Sequence, residues 1–181
     1  MIHELFNKEA KHEHSKIVSR IAGILADKSH FSQDEVSLIE SAAMLHDLGK
    51  QFVPACILTK PDKLTNQEFS IIQSHTLAGS DYILRTIKDL LAAYIVSLQH
   101  HERIDGSGYA NVTNIHAYAK VVAVADVFDA LLAKRAYKES WTPESAVSYM
   151  RDNASKQFDS EYVDVLIESI DEVLALYEAA A

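Results

Sequence analysis

The residues most able to do chemistry in this chain are histidines and aspartates. Nine histidines in 181 residues is a high count, and three placements stand out. His46-Asp47 closes an apolar run (Ala42, Ala43, Met44, Leu45) just ahead of Gly49. The doublet His100-His101 closes another, containing Tyr94, Ile95, Val96 and Leu98. Asp126 lies inside Val121-Val122-Ala123-Val124-Ala125-Asp126-Val127-Phe128. A carboxylate in an apolar helix interior is costly unless something positive compensates it, so Asp126 requires a cation. Taken singly, Asp126 reads as one half of a buried ion pair, and His46 as a hydrogen-bonded core histidine. Adjacent residues on a helix point about 100° apart. His100 and His101 therefore both ligate only if they serve different metals or lie near a shared edge, which points to a dinuclear centre. No cysteine joins the set, and mixed His and carboxylate ligation suits Fe, Mn, Zn or Ni. Along the chain, His14, His46-Asp47, His75, His100-His101 and Asp126 form an ordered series.

Helices are the elements that must position this series. Only 5 Gly and 3 Pro punctuate the chain, too few turn signals for an all-β fold. Residues 8–27 carry a helical stripe of Ile17, Ile21, Ile24 and Leu25. Ser32 with Glu35, and Thr65 with Glu68, are capping boxes that open helices predicted over 32–46 and 65–85. Further helices are predicted over 88–101 and 117–134, from Thr142-Pro143 onward, and over 160–177. The valine-rich stretch 120–127 resembles a buried strand, but the pattern continues unbroken through Leu132 and reads as helix. Asp105-Gly106-Ser107-Gly108 is the strongest loop signal.

Composition bounds the class. Hydrophobic residues at 48% and charged residues at 24% describe one soluble globular domain over 1–181 with enough apolar material for a full core. The net charge of −9 disfavours binding to nucleic acid polymers or anionic membranes, yet leaves room for a small anion in a local basic pocket. Cys56 is alone, the N-terminal residues show no secretory pattern, and no apolar run is long enough to span a bilayer. The expected location is the cytoplasm.

The order of the histidines and aspartates resembles the HD superfamily of metal-dependent phosphohydrolases, whose signature is an early His, a His-Asp doublet and a late Asp. The match is closer to its HD-GYP subfamily. His46-Asp47-Leu48-Gly49-Lys50 resembles the HDxGK motif, and His100-His101-Glu102-Arg103-Ile104-Asp105-Gly106-Ser107-Gly108-Tyr109 resembles HHExxDGxGYP. The stretches 124–131, Arg135-Ala136-Tyr137-Lys138 and Gln157-Phe158-Asp159 also resemble conserved segments of the subfamily. The resemblance covers roughly 14–166.

This resemblance implies an all-α bundle, an HD-domain fold of about seven helices. It implies hydrolysis of cyclic di-GMP, a bacterial second messenger, through hydroxide activated by two divalent transition metals, Fe or Mn first and Zn or Ni as alternatives. His14, His46, Asp47 and Asp126 would hold one metal. His75, His100 and His101 would hold the second, with Asp47 bridging. Lys50 would face the scissile phosphate, Arg135 and Lys138 the other one, and Tyr109 would contact substrate. Apart from the resemblance, Asp129, one turn after Asp126, reads as orienting a ligand or a Lys, and Glu102 and Asp105 read as loop-holding carboxylates rather than catalysts. A homodimer or a signalling-protein partner is compatible with the subfamily.

Three departures from the pattern matter. The proline of GYP is Ala110, and the following loop, 111–116, is short. Alanine leaves free a backbone angle that proline fixes. Ala10 stands where some members carry a glutamate for a third metal, so two metals are expected. The alternatives are an HD phosphohydrolase acting on another nucleotide or phosphoester, and a nucleotide-binding signalling module with weak turnover.

Overall fold

Helices supply all the regular structure in the computed structural model, which describes residues 9–86, 90–133 and 140–178, with the side chains of 9–12 outside the description. In chain order they are α1 (Glu9–Asp27), α2 (Gln33–Ala43), a 3₁₀ helix (Leu48–Phe52), α3 (Ala55–Leu58), α4 (Asn66–Gln73), α5 (His75–Thr86), α6 (Leu91–Gln99), α7 (Ala117–Leu132), α8 (Pro143–Asp152), α9 (Ser160–Glu168) and α10 (Ile170–Glu178). Among the described residues there is no strand, only an isolated bridge between Ala154 and Phe158.

The described residues form the expected all-α bundle, subdivided more finely than the figure of about seven helices. Two of the predicted helices are broken in the middle, at Ser74 and at Ser169, and α3 and the 3₁₀ helix were not foreseen. Neither break carries Gly or Pro, so the usual sequence signal is missing. The starts were legible: Ser32 and Thr65 make complete capping boxes, and Thr142 caps α8 with Pro143 in its first turn.

Helix α7 is the axis of the bundle. Val121, Val122, Val124, Ala125 and Phe128 are fully buried, and with Asp126 and Asp129 also buried the helix is enclosed along most of its length. It packs against α1, α6, α8 and α9, while α2 covers α1 and α6. Ile21, Leu25, Ile39, Ile83, Met150 and Leu166 fill the spaces between these helices, each burial contributing roughly 1.5–3 kcal/mol. Trp141, Tyr94 and Tyr149 pack against this core and Phe158 lies within it, as the sequence predicts.

Two glycines set the position of the 3₁₀ helix. A Cβ at Gly49 would overlap the His75 carbonyl oxygen and lie 2.6 Å from the Gly79 nitrogen, while one at Gly79 would meet Ser97 Oγ at 2.6 Å. The 3₁₀ helix therefore lies backbone to backbone on α5, which brings Asp47 beside His75.

Candidate metal centre

Apart from His14, which lies within α1, the candidate ligand histidines stand at helix ends. Helix α2 stops at Ala43, and His46-Asp47 occupies the turn before the 3₁₀ helix. His75 opens α5 directly after the Ser74 break. His100 is the C-cap of α6, and His101 lies in the turn beyond it. The last carbonyls of a helix lack intrahelical donors, and here histidine rings supply them. His46 Nδ1 is 2.6 Å from the Ala43 oxygen, His75 Nδ1 is 2.6 Å from the Ile72 oxygen, and His100 Nδ1 lies 3.0 and 3.1 Å from the Val96 and Ser97 oxygens. A carbonyl only accepts, so each Nδ1 carries the hydrogen. The neutral ring then presents a bare Nε2 as a ligand.

Those Nε2 atoms converge. One set of candidate ligand atoms comes from Asp47, His75, His100 and His101, and another from His14, His46 and Asp126, the atoms of each set lying within 4.8 Å of one another. His100 and His101 thus share one set rather than diverging by a helical step. The helix ends before His101, and the two rings lie 4.1 Å apart. Asp47 reaches both sets. Its Oδ1 is 3.3 Å from His75 Nε2 and 3.8 Å from His100 Nε2, and its Oδ2 is 3.4 Å from His46 Nε2. Asp126 Oδ1 is 3.2 Å from His14 Nε2 and 3.7 Å from His46 Nε2.

These residues fit metal ions. His75 Nε2 and His100 Nε2 face each other at 3.4 Å with both Nδ1 hydrogens already committed, so two lone pairs meet with nothing between them. His46 Nε2 and Asp47 Oδ1 are buried with no hydrogen-bond partner. Buried polar atoms left unpaired are costly, and a cation shared by these donors removes the cost. For the two carboxylates and for His100 and His101, protonation favours the same result. Burial opposes charge on His14 and His46, but the neighbouring carboxylates raise both, a preference for positive charge that a bound cation would replace. Burial pushes the Asp47 carboxyl up, but Lys50 and His46 override it and hold it well below the usual range. Asp126 is likewise held far down against burial by its bond to His14. Burial lowers His100, and burial with the neighbouring His100 lowers His101 further. Ionised carboxylates and neutral imidazoles are the forms that ligate.

Supporting contacts hold the set. His14 Nδ1 lies 2.5 Å from Asp129 Oδ2, and Tyr177 donates to Asp129 Oδ1 at 2.9 Å. Burial opposes charge on His14, but Asp126 and Asp129 raise it to about 10. Lys50 donates to Asp47 Oδ2, so this lysine stands at the bridge between the two sets. Arg135 and Lys138 lie outside the described residues, as does the side chain of Ala10. His30 and His116 are exposed, and His116 caps α7. The sequence reading missed Tyr177, which reaches Asp129 from 48 residues away and carries no local signal. It also missed Gly79, whose isolated place in a helical pattern was a usable sign of close packing.

The loop after His101 is held by the two carboxylates the sequence singled out. Glu102, 4% exposed, accepts from Ala110 N at 2.6 Å and Val112 N at 2.9 Å. Proline at 110 has no N–H to give the first bond, so Ala110 replaces a ring constraint with a hydrogen bond. Gly108 is required there, because a Cβ would lie 2.6 Å from Glu102 Cα. Asp105 accepts from Ser107 N and Oγ, while Asp105 N donates to the Lys156 carbonyl at 2.8 Å. Tyr109, carried by this loop, sets its ring 4.6 Å from that of His101. A cavity of about 90 Å³ opens beside them, lined by His100, His101, Arg103, Tyr109 and Val127 among others.

Comparison with known proteins places the chain in a family. A family model described as HD domain matches residues 1–162. The chain is 40% identical over 154 residues to the cyclic di-GMP phosphodiesterase response regulator RpfG of Xanthomonas campestris, covering 83% of this chain and 41% of that protein. It is 38% identical over 156 residues to 3'3'-cGAMP-specific phosphodiesterase 2 of Vibrio cholerae, covering 84% and 30%. The chain therefore spans less than half the length of these curated relatives. A solved HDG"Y"P protein from Bdellovibrio bacteriovorus superposes with a TM-score of 0.73 at 20% identity, over 89% of this chain and 52% of that one, and shares the fold. Fold, motif strings and family match thus meet on one conclusion, that the chain belongs to the HD domain family and stands with its HD-GYP members.

Proposed function

We propose that this chain is a cytoplasmic, metal-dependent phosphodiesterase that hydrolyses a cyclic dinucleotide, cyclic di-GMP first. The observation that carries the reading is the convergence of bare Nε2 atoms and carboxylate oxygens into two sets joined by Asp47. His14, His46 and Asp126 hold one divalent transition metal, and His75, His100 and His101 the other, Fe or Mn before Zn or Ni. When bound, such ions supply Lewis acidity toward phosphodiester oxygens and an activated water as nucleophile. Asp47 presents one oxygen to each set and fixes their separation. Lys50, at the bridging carboxylate, offers positive charge to the scissile phosphoryl group. Arg135 and Lys138 take the second phosphate, and Tyr109 closes the loop side. The names of the relatives support the substrate class, since they act on cyclic di-GMP or 3'3'-cGAMP.

The test is turnover of cyclic di-GMP and 3'3'-cGAMP by protein purified without an affinity-tag metal column and then loaded with defined metals. Metal-dependent hydrolysis that is lost in Asp47→Ala is the expected result. Binding without turnover would make the chain a signalling module. Turnover of simple phosphoesters with none of either cyclic dinucleotide would make it an HD phosphohydrolase of another substrate.

A further inference from the structure

Phe69 has no role in the metal centre, yet it stands next to it. Helix α4 buries none of its residues, and Phe69 is 44% exposed, so this phenylalanine is not a core anchor. Its ring meets Tyr109 edge to face, with centroids 5.9 Å apart at 86°. Tyr109 lies 4.6 Å from the ring of His101, and His101 is one of the convergent ligands. A run of rings therefore leads from the ligand set to solvent in two steps. Tyr109 is held in that run from behind by the Glu102 bonds to Ala110 and Val112.

A cyclic dinucleotide whose scissile phosphate sits at the ligand set must carry its bases outward from it. Bases present flat π faces, and aromatic side chains bind them by stacking without reading sequence. We propose that Phe69, backed by Tyr109, is a stacking ledge for a purine base of the substrate and sets the affinity for base-bearing phosphodiesters. The inference rests on the phosphodiesterase reading above.

The test compares Phe69→Ala, Phe69→Leu and Phe69→Trp with the wild type in metal-loaded protein. It measures KM and kcat for cyclic di-GMP, the inhibition constant of inorganic phosphate, and metal content. Loss of one stacked base raises KM about tenfold. Phe69→Ala and Phe69→Leu should both show this rise with kcat, phosphate inhibition and metal content unchanged, while Phe69→Trp stays near wild type. Wild-type KM in Phe69→Ala overturns the ledge. So does wild-type KM in Phe69→Leu, since apolar packing without a π face would then suffice. Parallel shifts in KM and phosphate inhibition also overturn it, because the residue would then be shaping the metal centre. In all three cases a working wild type leaves the phosphodiesterase reading standing. A metal-loaded wild type that turns over no cyclic dinucleotide overturns both.

Discussion

Asp47 and Lys50 are three residues apart and paired, yet their proposed roles differ. Asp47 faces both ligand sets, so Asp47→Ala removes the carboxylate that joins them. Metal content by elemental analysis and phosphodiesterase activity should vanish together. Lys50 ligates nothing, and its charge acts on the phosphoryl group. Lys50→Ala should retain the metals and lose rate, and an empty site in that variant would show that Lys50 instead holds the bridge together. Asp129 offers a finer test. It receives His14 Nδ1 and the Tyr177 hydroxyl, and contacts of this kind, one step behind a ligand, typically alter metal affinity 10–100-fold. Asp129→Asn, which keeps the shape and removes the charge, should weaken the ion at His14 by about tenfold in a competitive chelator titration. An unchanged affinity would reduce Asp129 to packing.

At the scale of elements, the backbone contact between the 3₁₀ helix and α5 decides where Asp47 sits. A methyl group at Gly49 meets backbone on α5, which has no flexible side chain to move aside. Gly49→Ala should lower stability by about 3 kcal/mol, or about 6–12 °C in the thermal midpoint of a chain this long. It should also displace Asp47 from His75, so metal content falls with it. Ala110→Pro probes the loop. It deletes the N–H that bonds buried Glu102, at a cost of about 1.5–3 kcal/mol for a charged acceptor, against about 0.4–1 kcal/mol returned by a stiffer unfolded chain. The denaturant midpoint should fall, whereas a rise would mean that the ring constraint outweighs the bond. Much of this architecture was legible in the sequence, because capping boxes and apolar periodicity act locally: Ser32, Thr65 and Thr142 begin helices where their side chains say they should. The ends were less legible. Helices α2, α4 and α6 stop without Gly or Pro, and in each case a histidine ring satisfies the last carbonyls. Those histidines were recognisable as candidate ligands. Their second role as caps depends on three-dimensional closure and is invisible in spacing alone. That role also explains why His100 and His101 converge, where a continuous helix would have separated them.

At the scale of the whole molecule, three helix C-termini, those of α2, α4 and α6, end at histidines that converge on one centre. Each terminus carries partial negative charge, and Asp47 and Asp126 add two buried carboxylates. The protein as a whole has a net charge of −9. This concentrates negative potential and bare lone pairs in the middle of the bundle, an arrangement that divalent cations neutralise. The ligands come from α1, α5 and α7 as well as from the turns after α2 and α6, so bound ions tie together elements from position 14 to position 126. Metal binding and folding must then be linked. A ligand bound only by the folded state stabilises it by about 2.7 kcal/mol when its free concentration is a hundred times its dissociation constant. For a chain of this size that is about 5–11 °C per site. Titrating Mn²⁺ or Fe²⁺ into chelator-treated protein should raise the thermal midpoint with concentration and saturate at two ions per chain. Asp47→Ala should abolish most of the rise, and Lys50→Ala should retain it. A midpoint indifferent to metal would overturn metal binding by the folded chain, whereas saturation at one ion would separate the two ligand sets and leave Asp47 as a member of one of them rather than the bridge between both.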